Sequence, residues 1–411
     1  MYERLDQMTP YYPSEALASP AITLIEKSSV LEGAIAPRTA SSIAQLMLHA
    51  NSYYSNLIEG QHTRPLEVEA YLRHPERIKN ESVLLGAAHI RTEEAVHARL
   101  HAGENPYRPE FIRWLHGELY GQLPDSMKRV KGRDGQEEKL NEGDWRQRDV
   151  EVGRHVAPRW QKLPDLMNEF VKIYAPAQNK VLTLLRIVAA HHRFVWLHPF
   201  LDGNGRVGRL LTHAWLRAAG IMGSGLWSIS RGLARTRDTY LSRLSDADAA
   251  RQGDYDGRGN LSQRTLDALA EFMLSVAIDQ VEYMRASFRF DTLEQRLQRA
   301  FAEFAISIPG IREEGWRLVR QAIFIGEFER GEVRRITGLG VSVGRELLSK
   351  MLEHSLLASD SPKGKVYASF PVRAVSWYFP DLFPPSDVLQ YEGRLDIDAV
   401  QAAARNIPMP R

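Results

Sequence analysis

The densest chemistry in the chain lies in His198-Pro199-Phe200-Leu201-Asp202-Gly203-Asn204-Gly205-Arg206-Val207-Gly208-Arg209. Pro199 disfavours helical geometry at His198. The helix before it therefore ends on an imidazole, at a terminus whose dipole favours the protonated form, and a group there suits proton acceptance. Gly203-Asn204-Gly205 can adopt positive φ at little steric cost, so successive backbone N–H groups can converge on an anion where the next helix begins. Arg206 and Arg209 lie three apart on that helix, at the end where a cation opposes the dipole unless an anion is near. Asp202 offers one hard carboxylate, which is too few for a protein-only metal cage but ordinary for Mg²⁺ completed by phosphates and water. Asp-Gly-Asn-Gly alone is also a common turn with a helix cap. The conjunction of His198, Asp202, Arg206 and Arg209 around it reads as a nucleotide–Mg²⁺ site.

The elements that must hold these residues read as helices. Apolar residues Ile43, Leu46, Met47, Ala50, Tyr53, Tyr54, Leu57 and Ile58 recur at three- and four-residue intervals, predicting a helix over about 39–60 with Thr39 as N-cap and Gly60 as its stop. Helical periodicity continues over 83–99, 109–120, 165–174, 181–197, 206–219, 235–244 and 262–285. Residues 150–156 alternate around Gly153 and predict a short hairpin. After Phe288 the pattern changes to three short helices, 316–324, 330–337 and 341–354, then a turn at Ser361-Pro362-Lys363-Gly364 between strand-like segments, which is a winged-helix order. The expected division is an N-terminal helical region 1–104, a catalytic domain 105–287, a winged-helix domain 288–385 and a tail 386–411. The expected fold class is mainly α, a helical bundle with a small β-hairpin, plus an α+β winged helix.

Composition bounds the chemistry. The sequence has 411 residues, no cysteine, 53 Lys+Arg against 51 Asp+Glu and a net charge of +2. The length suggests two or three domains. Without thiols there is no disulfide framework, thiolate nucleophile or iron–sulfur cluster, so metal binding falls to His, Asp and Glu. A near-neutral chain has no global field to draw it onto nucleic acid or anionic lipid. The acidic start with no apolar run, and polar interruptions in the longest charge-free stretch, predict a cytoplasmic chain with no membrane partner.

The segment 198–209 resembles the Fic domain family, whose H-P-F-x-D/E-G-N-G-R-x-x-R signature it matches at every fixed position. The resemblance extends over most of 105–285 and makes the hairpin at 150–156 look like the family's target-docking flap. It implies a Fic-type bundle that transfers AMP from ATP, with Mg²⁺, to a Ser, Thr or Tyr hydroxyl of a protein target or of itself. By that resemblance His198 is the general base, Asp202 holds Mg²⁺, Gly203, Asn204 and Gly205 form the anion hole, and Arg206 and Arg209 grip phosphates. Related Doc toxins, which phosphorylate, carry Lys where this chain has Gly205. Some Fic enzymes place two tyrosines near the nucleotide, and the corresponding stretch here is Tyr240-Leu241. Ser55-Asn56-Leu57-Ile58-Glu59-Gly60 resembles the family's inhibitory S/T-x-x-x-E-G/N motif, with Ser55 and Glu59 on one helical face. A carboxylate in a helix's last turn faces the negative end of the dipole and wants a cation, and Arg209 is its expected partner. A solvated Glu before a capping Gly is the plainer alternative.

Ser342, Arg345, Ser349 and Lys350 on the third C-terminal helix, with Lys363 and Lys365 in the wing, are compatible with DNA contact, although Glu346 and Glu353 share that helix and the fold also serves protein docking. His191 and His192 are expected to pack or cap rather than ligate metal. Two alternatives stay open: removal of AMP from modified proteins with Glu59 aligning a water, and a DNA-binding regulator with a nucleotide-sensing core. A homodimer stays open as well.

Overall fold

The computed structural model describes residues 11–75, 80–131, 137–153, 155–257 and 259–388. Residues 1–6 and most of the 386–411 tail lie outside these. The architecture is mainly α. Helices α1 (Ala18–Ala34), α2 (Pro37–Ile58), α3 (Pro65–Arg73), α4 (Glu81–His101) and α5 (Pro109–Gly121) come first. Two antiparallel hairpins follow, β1 (Arg129–Lys131) with β2 (Glu137–Lys139), and β3 (Glu151–Val152) with β4 (His155–Val156). Helices α6 (Leu163–Ile173), α7 (Lys180–Leu197), α8 (Asn204–Ala218), α9 (Ile229–Arg235), α10 (Arg237–Asp246) and α11 (Gln263–Ser287) complete the central body. The last part holds α12 (Phe290–Ser307), α13 (Gly315–Ile325), β5 (Glu327–Phe328), α14 (Val333–Thr337), α15 (Val341–Glu353), β6 (Leu357–Ala358), β7 (Val366–Ala368), α16 (Val375–Tyr378) and α17 (Pro385–Val388). Its antiparallel strands run in the order β5-β7-β6.

Helix α2 starts earlier than its expected cap. Pro37 stands at its first turn, where a missing N–H leaves no bond unmade. Thr39 is instead buried, and its hydroxyl reaches the Ala322 and Ile323 carbonyls in the last turn of α13 at 3.1 and 2.9 Å. Arg38 lies 3.6 Å over the Tyr367 ring and 2.6 Å from Asp360. The start of α2 is thereby fastened to the C-terminal sheet. Its other end runs beside α4, α8 and α9.

The hairpin β1–β2 gave no apolar alternation to read. Its pairing sets Arg129 opposite Lys139, Val130 opposite Glu138 and Lys131 opposite Glu137, so charged side chains stand where an apolar stripe would otherwise mark a strand. Helix α12 buries Leu293, Leu297, Ala300, Phe301 and Phe304 along one face. Buried apolar side chains from Tyr11 to Val388 join one continuous cluster, so the last helices share their core with the central body. Within it α7 and α8 pack on each other and carry between them the loop that starts at His198.

Candidate functional site

Leu197 ends α7 and His198 follows in the left-handed region, at φ 46° and ψ 59°. A non-glycine residue there costs about 1–2 kcal/mol, so the loop must hold it. Phe200 is buried and stacks on His116, with ring centroids 3.9 Å apart. Asn204 closes the loop: Phe200 N–H donates to its Oδ1 at 2.9 Å, and its Nδ2 donates to the Phe200 carbonyl at 2.8 Å. Asn204 was expected to contribute to the anion hole. Its side chain is buried and committed to the loop, which leaves only its backbone to face an anion. Gly203, at φ 80°, makes the turn into α8, and a Cβ on it would meet the Tyr120 ring. The helix accordingly begins at Asn204, two residues before the expected Arg206, and places Gly205 in its first turn.

The charged residues converge on this turn. Tyr120, on α5, donates its hydroxyl to Asp202 Oδ2 at 2.7 Å and accepts from Arg206 Nη1 at 3.1 Å. Burial, with the Asp202 charge beside it, pushes the Tyr120 phenol up, so it stays a donor. Asp202 keeps 54% of its side chain exposed. Arg206 is buried, and its Nε reaches Asn56 Oδ1 on α2 at 3.1 Å. Arg209, also buried, bonds Ser55 Oγ and the Ser55 carbonyl at 2.9 Å each, and its Nη2 lies 2.6 Å from Glu59 Oε1. Gly60, at φ 78°, ends α2 there, and Arg237 Nε caps the Ile58 carbonyl at 2.8 Å. A Cβ on Gly205 would overlap Glu59 Oε1, so this carboxylate sits directly on the first turn of α8. Burial is the largest influence on Glu59 and acts to raise its pKa. The Arg209 charge and hydrogen bond, with Arg206 behind, outweigh it and hold the carboxyl below its usual range.

His198 departs from the expectation of a dipole-favoured imidazolium. Burial lowers its pKa to about 4, with the positive charges of Arg146 and His155 adding to the shift and the Val195 backbone and Asp202 opposing it. Desolvation outweighs the weak field of a helix end, and the imidazole is neutral at pH 7. It opens on a groove of about 880 Å³ between the β3–β4 hairpin and α10, lined by Val152, Val156, Trp196, Leu241 and Asp248. Arg154 lies outside the described residues. Tyr240, expected beside the nucleotide, is buried in the core with its hydroxyl 2.8 Å from His191 Nε2, because the face of α10 that carries it turns inward. Its neighbour Leu241 is the one that faces the groove. His191 also bonds Thr212 Oγ1, and His192 bonds Asp248 Oδ1, each at 2.8 Å.

Three contributors escaped the sequence reading: Tyr120, Asn56 and Arg146. Asn56 lay inside the Ser55–Gly60 motif and could have been found from its place one residue past Ser55, facing the other arginine. Tyr120 and Arg146 reach the site from distant segments and carry no local signal.

Residues 106–216 match the Fic/DOC family. Over 104 residues the chain is 35% identical to a protein adenylyltransferase Fic of Drosophila mojavensis, covering 25% of this chain and 21% of that one. Over 82 residues it is 38% identical to a protein adenylyltransferase Fic of Nematostella vectensis, covering 20% of this chain and 19% of that one. The matched stretch thus spans about a fifth of these curated relatives. Among solved structures, a Fic family protein from Desulfovibrio desulfuricans G20 superposes with a TM-score of 0.51 at 18% identity, over 88% of this chain and 98% of the other. A Fic domain containing signaling protein from Bacteroides thetaiotaomicron VPI-5482 gives 0.50 at 19% identity, over 64% of this chain and 95% of that one. These two likenesses speak to the fold. The likeness to the Fic/DOC family thus lies in residues 106–216, the stretch that carries the site, and the two solved structures share the fold around it.

Proposed function

We propose that the chain is an ATP- and Mg²⁺-dependent protein adenylyltransferase, acting on a Ser, Thr or Tyr hydroxyl of a protein target or of itself, and restrained by Glu59. One observation carries this reading: the first turn of α8, flanked by Arg209, already seats an anionic carboxylate oxygen. A phosphate oxygen would find the same guanidinium and the same helix N-terminus. Asp202, half-exposed at the rim, is the residue that would hold Mg²⁺. Among the described residues no group of three or more His, Asp or Glu side chains is arranged to hold a metal unaided, so phosphates and water would complete its shell. The ion, when bound, neutralises phosphate charge.

In the reaction, the target hydroxyl oxygen attacks the α-phosphorus of ATP. The bond from that phosphorus to the bridging oxygen breaks, pyrophosphate leaves, and the hydroxyl proton passes to His198. A neutral imidazole can accept it at once, and polyphosphate charge beside the loop would raise its basicity above the value it has alone. The β3–β4 hairpin, with Val152 and Val156 about half exposed, would align the target by adding a strand to its edge. With Glu59 in place, nucleotide phosphates cannot all reach Arg209, and the α-phosphate would sit away from in-line attack.

An ionised Glu59 at the phosphate seat also supports a second reading, in which it orients a water that removes AMP from a modified protein. The segment α13–α15 with its sheet is read as a winged helix. Lys350 is paired with Glu353 at 2.8 Å and Lys365 with Glu327 at 2.7 Å, which withdraws two cations from DNA contact. The fastening of Arg38 and Thr39 to this unit favours docking and regulation through α2.

Mass spectrometry of the Glu59→Gly protein after incubation with ATP and Mg²⁺ tests the transferase reading. The expected result is an added AMP on a Ser, Thr or Tyr of the chain or of a co-incubated lysate protein, absent from the His198→Ala/Glu59→Gly double variant. No adduct on either would overturn it.

A further inference from the structure

We propose that Arg146 is a positioning residue that holds the β3–β4 hairpin and His198 in one rigid frame, so that the docked target and the base keep a fixed separation. This inference rests on the adenylyltransferase reading. Arg146 lies in the irregular segment after β2 and its side chain is fully enclosed. Its Nε donates to the His198 carbonyl at 2.8 Å, its Nη1 to the Arg148 carbonyl at 2.6 Å and its Nη2 to the Pro158 carbonyl. Its own N–H donates to the Pro199 carbonyl at 2.9 Å. The closest carboxylate is that of Asp149, 3.9 Å away and exposed. A buried guanidinium is therefore satisfied almost wholly by main-chain carbonyls, which is an expensive arrangement unless those carbonyls need fixing.

They do need fixing. His198 is held at positive φ, a conformation that persists only where surrounding bonds over-determine it. Arg148 precedes β3 and Pro158 follows β4, so two of the other acceptors are the two stems of the hairpin. The paired strands are two residues each, far too short to stand alone. A second tie supports the same frame from the other side. His155, on β4, donates its Nε2–H to the Trp196 carbonyl at 2.7 Å, and Asp248 reaches His155 Nδ1 at 3.6 Å and His192 Nε2 at 2.8 Å. That tie grips the hairpin and the helix, whereas the bond from Arg146 reaches the carbonyl of His198 itself. A lysine cannot replace it, since one ammonium lacks the planar fork that reaches three diverging acceptors.

The test uses the full chain in the Glu59→Gly background, with AMP incorporation from α-labelled ATP as the activity and amide hydrogen exchange as the second readout. Adding Arg146→Lys should lower incorporation by about 10²-fold through misplacement of the reacting groups, while the affinity for a fluorescent ATP analogue stays within about twofold. Exchange should accelerate at residues 150–157 and 198–200 and remain slow in α2 and α11. Incorporation at the parent rate, or acceleration spread evenly through the fold, would overturn the proposal. If the Glu59→Gly parent itself incorporates nothing, the adenylyltransferase reading fails, and local acceleration in exchange still decides the role of Arg146. If Arg146→Lys does not fold, exchange in the unsubstituted protein decides. The proposal requires the amides of Arg146, Ala157 and His198 to open together, and independent opening of Ala157 contradicts it.

Discussion

Glu59 and Arg209 form a 2.6 Å ion pair across two helix ends, joining a carboxylate at the C-terminus of α2 to a guanidinium in the early turns of α8. Each charge is misplaced with respect to its own helix dipole, and the pair relieves both. Ser55 closes the far side of the same guanidinium, so the end of α2 occupies most of the donors Arg209 has to offer. The polar contact continues up the two helices, where Asn51 on α2 bonds Glu93 at 2.7 Å and His213 on α8 lies 3.3 Å from that same carboxylate.

Replacing His198 with Ala should abolish transfer and spare nucleotide binding, because the imidazole acts on the hydroxyl proton and lies on the groove side of the loop. The expected loss is about 10²–10⁴-fold in rate. Label incorporation and equilibrium ATP binding, measured on one preparation, check it; full activity in the variant removes His198 from the base role.

Arg209→Ala should separate the brake from the engine. It removes the pair, yet the protein should stay inactive because a phosphate clamp has gone with it. It also leaves the Ser55 carbonyl without its guanidinium partner, which should lower stability by about 1–3 kcal/mol. Urea unfolding and incorporation assays check both halves, and an Arg209→Ala protein as active as Glu59→Gly would refute the clamp.

Acid should destabilise the fold before it touches the ion pair. Burial lowers His89 and His191 to about 3 and His116 to about 4, from an unfolded value of 6.5. Below pH 6.5 the unfolded chain takes up these protons while the folded chain does not, so stability falls as pH drops from 6.5 toward 4, by up to about 1.4 kcal/mol per unit for each group. Glu59, held below its usual range, contributes stability present above the unfolded carboxyl pKa and lost only as pH falls through its lower folded value. Thermal unfolding between pH 7 and 4.5 checks the sign, and a flat profile contradicts it.

Val152→Pro should impair target modification at little change in ATP affinity. Val152 is exposed on β3 and pairs with His155, so a proline there removes a backbone donor from the hairpin's own ladder and spoils the edge that would take the target strand. Modification at the wild-type rate would argue against strand addition as the docking mode.

The site was legible where chemistry is written locally. The run His198–Arg209 announces itself because glycines and paired arginines at a helix start are costly together unless an anion sits between them. Glu59 pointed to a cation because its helix end could not satisfy it. What stayed hidden depends on distance and burial. Tyr240 has the right chemistry but sits on the inward face of α10, a choice that periodicity over one short helix does not settle. The charge expected on His198 was misjudged because the sequence displays a helix end and not the desolvation that overrides it. Arg146 could not be found, since its acceptors are main-chain carbonyls that any residue type provides. In the fold, the amphipathic helices were readable from apolar spacing, while β1–β2 is built almost wholly of charged residues and showed no such pattern.

The central claim is that Glu59 occupies the phosphate seat as a brake on His198-dependent AMP transfer. Its most direct measurement is the rate of AMP incorporation from labelled ATP with Mg²⁺ for the wild-type and Glu59→Gly proteins side by side. The account predicts a rise of roughly tenfold or more in Glu59→Gly, since freeing Arg209 restores in-line geometry, and its complete loss when His198→Ala is added. A Glu59→Gly protein no faster than wild type would contradict the account.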